Sequence, residues 1–262
     1  MRMRTVTAAL IAVAWIVAPG WAGAQENAYD VLGKALMPIA NVFIVSGSGG
    51  ITGTNAAGHG VVLDGHLIAA SKIPPELQGE AIHLALMAPD KLLIQAPFER
   101  QMMTVCRNGG TLWATPGSQI QSLLDQVTAG DAQPPKKAGK VFGPLALPIP
   151  AKELVLLPLL FQVADAGTET VSGQPCRVLD VQLMAQLSKA LHAQGWSARV
   201  WIDANYAITQ LAVNGPNWSG AAAIDKLEFS DTLPDGTFDP QGTDVLKLTP
   251  DEFVGVMKEL GQ

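Results

Sequence analysis

Residues 101–117 read QMMTVCRNGGTLWATPG. Two runs of strand-forming residues flank Asn108-Gly109-Gly110, and an Asn-Gly pair supplies the positive φ angles that a tight primed turn demands. The stretch is therefore expected to be a β-hairpin. With Asn108-Gly109 at the turn, Thr104 stands opposite Trp113 and Cys106 opposite Thr111, all four on one face. Trp113 is then a wall residue beside Cys106, and the pair is a piece of sheet before it is a reactive site.

The same pattern extends in both directions. AIHLALM and LLIQA (81–87 and 92–96) flank a Pro-Asp turn, and GVVLDGHL (60–67) reads as a strand before them. VFIVSGSG (42–49) reads as another short strand. Downstream, TETVSGQPCRVLDV, ARVWIDANYAITQLAV and AAAIDKLEFSDTL supply further strands and hairpins. Helical spacing marks YDVLGKALMPIAN near the start and SQIQSLLDQVT at 118–128, with Ser118 as cap. It also marks QLMAQLSKALHAQG, and a tail TPDEFVGVMKEL with acidic residues in its first turn. About ten strands joined by tight turns imply a mostly antiparallel sheet. Such sheets commonly alternate apolar and polar faces. Here one face of the 81–96 hairpin is expected to carry Ile82, Leu84, Leu86 and Leu93, and the other Ala85, Met87, Leu92 and Ile94. Both are apolar, so either helices cover the second face or it lines a cavity for an apolar ligand.

The N-terminus, MRMRTVTAALIAVAWIVAPGWAGAQE, has a basic start, a short apolar core and small residues near Ala24. That is the plan of a cleaved secretory signal peptide, 1–24, leaving 25–262 as one domain in an exported, periplasmic protein. Of the 17 Lys and Arg and 23 Asp and Glu, only Arg2 and Arg4 belong to the leader, so the remaining chain has a net charge of −8. An acidic chain argues against nucleic acid as a partner. Two cysteines, Cys106 and Cys176, are expected as a disulfide in an oxidising compartment. Two buried free thiols are the alternative, and a catalytic thiol lacks a recognisable histidine partner.

TLWATPG (111–117), RVWIDANYAITQLAV (199–213) and FDPQGTDVL (238–246) together resemble motifs of the LolA-like periplasmic lipoprotein carriers, the outer-membrane lipoprotein-sorting group. The resemblance implies a mainly β fold with α: a curved, incomplete antiparallel β-barrel closed by helices that form a lid. It implies no catalysis and no cofactor. The implied partners are acyl chains of lipids or lipoproteins, and inner- or outer-membrane transfer proteins. The carrier family's lid-binding arginine has no clear counterpart among Arg100, Arg107, Arg177 and Arg199.

The segment 129–150 reads as a mobile loop and 151–163 as an apolar lid helix weakened by Pro158. Cavity or lid candidates are Leu84, Leu86, Leu93, Met103, Trp113, Leu156, Leu160, Phe161 and Trp201; for the tryptophans, plain core packing is the competing reading. SGSGG (46–50) lacks the Lys of a phosphate loop. Asp231, Asp235, Asp239 and Asp244 miss the EF-hand spacing, and His59 with His66 lacks a third zinc ligand, so no metal is expected. No G-x-S-x-G elbow occurs. The expected function is lipid or lipoprotein carriage towards the outer membrane, with an envelope adaptor that docks a protein partner as the alternative.

Overall fold

A computed structural model describes residues 26–42, 60–71, 74–98, 101–130, 151–190 and 193–260. The expected signal peptide, the 43–49 part of the first expected strand, the SGSGG turn, His59 and most of the 129–150 loop lie outside the described residues. Val42, expected to begin that strand, is the last residue of a helix instead.

The sheet is two five-stranded meanders joined edge to edge. The first holds β1 (Gly60–Ala70), β2 (Ala81–Met87), β3 (Lys91–Phe98), β4 (Gln101–Asn108) and β5 (Thr111–Thr115). The second holds β6 (Phe161–Val171), β7 (Gln174–Leu183), β8 (Ser197–Ile202), β9 (Ile208–Asn214) and β10 (Ser219–Ser230). β1 pairs antiparallel with β10, and the short β11 (Leu246–Lys247) returns to β5. Among the described residues the spatial order is β11-β5-β4-β3-β2-β1-β10-β9-β8-β7-β6, eleven strands that do not close. At the β1–β10 seam the ladder slips between Asp64 and Gly65. A Cβ on Gly65 would lie 2.2 Å from the Ala223 carbonyl oxygen, so only glycine fits this crossing.

The β4–β5 hairpin forms as expected but one residue out of register. Gly109-Gly110 is the turn, with Gly109 at φ +60, and Cys106 pairs with Trp113 while Asn108 pairs with Thr111. Side-chain parity is unchanged, so Trp113 and Cys106 still share a face. The β2–β3 hairpin pairs Leu86 with Leu92 and Leu84 with Ile94. Leu93 therefore faces away from Leu84 and Leu86, contrary to the face assignment made from the sequence.

Among the described residues four α-helices accompany the sheet. α1 (Ala28–Val42) packs Val31, Leu32 and Ala35 on Leu179, Val181, Val200 and Ile202 of β7 and β8. Its last residue, Val42, reaches Val61 and Leu86 on the first meander. α2 (Gly117–Gly130) and α4 (Pro250–Leu260) bury Ile120, Leu124, Phe253 and Val256 against Met103, Val105, Leu112 and Ala114. By strand register these partners all lie on one face of the sheet, here called the helix side. α4 starts with a capping box: the Thr249 hydroxyl accepts the Glu252 N–H at 3.3 Å, and the Glu252 carboxylate accepts the Thr249 N–H at 2.7 Å. The α2 cap differs from expectation. Ser118 does not cap it; Asp244 does, accepting the Ser118 N–H at 3.0 Å and hydroxyl at 2.8 Å. α3 (Ala185–Ala190) is shorter than its sequence suggests. The expected 151–163 helix is a 3₁₀ helix over Ala151–Leu160, and Phe161 already begins β6.

Candidate functional site

Both faces of the first meander are apolar because both are covered, by different means. On the helix side of the second meander, Phe161, Val163, Leu179, Val181, Val200, Ile202, Ile208 and Leu211 form an apolar floor under α1. The helix fills that floor with its own side chains, so a guest could lie there only if α1 moved. α1 itself carries Pro38, which removes one N–H from its hydrogen-bond ladder. The 3₁₀ helix lies against it: buried Pro158 abuts Gly33, where an added Cβ would stand 3.0 Å from the Pro158 Cγ.

A polar clasp holds the N-terminal end of α1. Lys34 donates to the Glu26 carboxylate and, at 3.0 Å, to the Tyr206 hydroxyl, which in turn donates to Glu26 at 3.0 Å. Arg177 on β7 donates to the Glu26 carbonyl at 2.6 Å and holds Asp165 on β6 through Nε at 3.0 Å. Glu26 is held below its ordinary carboxylate range, first by the Lys34 hydrogen bond; burial pulls the other way, and Tyr206 adds to the lowering. Tyr206 reaches this position from the β8–β9 turn with φ +63, an uncommon conformation for a residue with a side chain. Asp203 supports the turn by accepting the N–H groups of Asn205 and Ala207, both at 2.8 Å. The WIDANY motif singled out in the sequence is thus the anchor of α1.

The opposite face of the first meander is covered by the loop between β10 and β11. Buried Phe238 lies on Ala85, Leu93, Cys106 and Trp113. Its carbonyl accepts the indole N–H of Trp113 at 3.1 Å and the thiol of Cys106 at 3.5 Å. Burial, then the charge of Asp239, pushes the Cys106 thiol up to about 12, so it stays protonated and unreactive at neutral pH. Asp239 also accepts from Asn108 at 3.4 Å, and the Lys91 ammonium sits 5.6 Å from the centre of the Phe238 ring. The aspartates weighed as a calcium loop therefore include a helix cap, Asp244, and a hairpin contact, Asp239. Among the described residues no three His, Cys, Asp or Glu gather as a metal site.

The expected disulfide is absent. Cys106 and Cys176 are both buried and free. Cys106 is on β4 and Cys176 on β7, with β3, β2, β1, β10, β9 and β8 between them. Seven interstrand steps of about 4.8 Å separate them by roughly 30 Å along the sheet, far beyond the reach of an S–S bond.

The candidate residues do not converge on one cavity. Leu84, Leu86, Met103 and Phe161 face the helices, whereas Leu93, Trp113 and Trp201 face the other side. Six strands lie between Trp113 and Trp201. Leu156 and Leu160 sit on the 3₁₀ helix. Around Trp201 lies a half-open polar groove of about 460 Å³, lined by Asp180, Gln182, Ser197, Arg199 and Asn214 among others. Arg199 grips Asp180 through Nε at 2.7 Å and Nη2 at 3.0 Å, holding that carboxyl below its usual range, and Trp201 donates to Glu169 at 2.7 Å. Sequence reasoning missed this groove and the Phe238 cover. The cover had a signal, since Leu233, Phe238 and Val245 punctuate an otherwise Pro/Gly/Asp-rich loop.

No family model matches the chain, and no curated protein matches it in sequence. Solved structures align with it at low identity. LprF from Mycobacterium bovis is 12% identical over 79% of this chain and 96% of its own, with a TM-score of 0.42. The Mycobacterium tuberculosis lipoprotein LppX is 11% identical over 81% and 97%, with a TM-score of 0.38. A LolA superfamily protein from Nitrosomonas europaea is 10% identical over 82% and 99%, with a TM-score of 0.28. Likeness at this level assigns neither family, ligand nor partner.

Proposed function

We propose that the protein is an exported, non-enzymatic carrier. It takes the acyl chains of lipids or lipoproteins between the second meander and a displaceable cover of α1 and the 3₁₀ helix, and passes them on towards the outer membrane. One observation carries this reading: the floor under α1 is lined by apolar side chains, yet α1 itself holds an internal proline and is clasped by polar contacts at one end. The magnitudes permit exchange. Val31, Leu32 and Leu36 contribute roughly 2 kcal/mol each when packed on the floor. An acyl chain of about 14–16 methylenes gains about 0.8 kcal/mol per buried methylene, so the guest can outcompete the helix.

Protein purified without detergent should yield lipid on organic extraction, detected by mass spectrometry. Delipidated protein should take up a fluorescent fatty acid, and faster when Lys34→Met loosens the clasp. A preparation that carries no lipid and takes up none would overturn the reading.

A further inference from the structure

At one end of the second meander five strand ends stand in a row. They are the start of β6 at Phe161, the end of β7 at Leu183, the start of β8 at Ser197, the end of β9 at Asn214 and the start of β10 at Ser219. The residues just beyond these ends form a rim. Leu156 and Leu159 lie one 3₁₀ turn apart, so their side chains stack on the same side. Met184 is tied beside them by its N–H to the Leu160 carbonyl at 3.0 Å. Trp196 precedes β8 and Trp218 precedes β10, their rings 6.4 Å apart and tilted by 36°. The Trp196 ring lies over Gly215 and the Trp218 ring over Gly220; a Cβ at Gly220 would meet the indole at 2.5 Å.

Among the described residues the large hydrophobic side chains that stand exposed are Leu156 at 51%, Leu159 at 56%, Met184 at 40% and Trp196 at 36%. All four belong to this rim. The residues next to these side chains, 154–163, 183–188, 193–198 and 213–222, contain no Asp, Glu, Lys, Arg or His, although Lys189 and His192 stand in the same β7–β8 connection. The clustering needs an explanation, because scattered exposed leucines are ordinary but an uncharged group of them is not.

We propose that this rim docks the protein on a lipid bilayer, with the leucines and methionine entering the acyl boundary and the tryptophans resting at headgroup depth. Two observations select a bilayer over a protein partner. Leucine and methionine beside amphipathic indoles is the composition of a membrane-interface contact. The four exposed side chains, of about 150–250 Å² each, present roughly 350 Å², less than half of what one side of a stable dimer buries. Lys189, at the end of α3, is the one basic residue described between Met184 and Trp196, and a single lysine in a chain of net charge −6 leaves the contact essentially independent of anionic lipid. The proposal stands whether or not the sheet carries a guest.

The test is cosedimentation of the purified protein with extruded phosphatidylcholine vesicles, repeated with phosphatidylglycerol added. The protein should partition onto both, no more strongly onto the anionic ones and without loss in high salt. The double variant Leu156→Ser/Leu159→Ser, and separately Trp196→Ser, alters exposed positions; each is to be checked for an unchanged melting temperature. The double variant should lower the partition coefficient at least tenfold, and the tryptophan variant several-fold. Failure to bind phosphatidylcholine, or undiminished binding by both folded variants, overturns the proposal. So does binding that requires phosphatidylglycerol and disappears in salt. A dimer that the double variant dissociates, with no vesicle binding, would also overturn it and assign the rim to a second copy of the chain.

Discussion

Trp113→Phe tests whether the loop between β10 and β11 is an integral cover of the first meander or a loose strap. The substitution removes the indole N–H that reaches the Phe238 carbonyl at 3.1 Å and empties the space of the second ring. Loss of one buried hydrogen bond costs about 1 kcal/mol net. The cost is held to that range because the Cys106 thiol still approaches the same carbonyl at 3.5 Å. The emptied ring adds about 1–2 kcal/mol from transfer and cavity together. The sum is about 2–3 kcal/mol. With a urea m-value near 3 kcal/mol/M for a domain of this size, the unfolding midpoint should fall by about 0.7–1 M. The loosened cover should also let an alkylating reagent reach Cys106 faster at pH 8. A midpoint shift below about 0.2 M, with Cys106 alkylation unchanged, would refute the reasoning, because Trp113 could then not be sealed under Phe238.

Gly65→Ala should destabilise by roughly 3 kcal/mol or more in the same assay, since its Cβ would meet backbone 2.2 Å away, whereas Gly110→Ala, with open space around it, should stay within about 0.5 kcal/mol. Reductant should leave the melting temperature unchanged, and a thiol reagent should count Cys106 and Cys176 only after unfolding. The Cys106 thiol is raised in the folded state to about 12 from an ordinary 9.0, so its contribution is complete below pH 9 and is lost as pH climbs from 9 through 12; Cys106→Ala should flatten that alkaline slope in pH-dependent unfolding. Asp244→Ala should cost about 1 kcal/mol through loss of the α2 cap, and Ser118→Ala distinctly less.

Strands and turns were legible because their signals are local. Gly109-Gly110, the Pro89-Asp90 turn and the Thr249–Glu252 box each act within a few residues. The register error at Asn108 arose because two adjacent glycines both allow positive φ, and only pairing with β5 decides between them. Leu93 was misplaced for a similar reason: a three-residue turn at 88–90 sets which residue faces Leu86, and the apolar pattern reads alike in either parity. Long-range relations were not legible. Nothing near Ser118 announces that Asp244 will cap it, and nothing near Cys106 states how many strands lie between it and Cys176. The 3₁₀ form of 151–160 was hidden by a run apolar in every direction, which has no period to read. Of the candidate site, the apolar character of the sheet was visible, but which side each residue serves depended on the pairing.

The seam between β1 and β10 has a consequence for how the chain matures. Strand β1 is made early and β10 more than 150 residues later, so β1 has only β2 as a neighbour during most of synthesis. Until β10 arrives, the first meander carries an unpaired edge of eleven residues, GVVLDGHLIAA, the kind of edge on which nascent chains associate. A chain truncated before Ser219 should therefore aggregate through its front half, although every residue of that half is present.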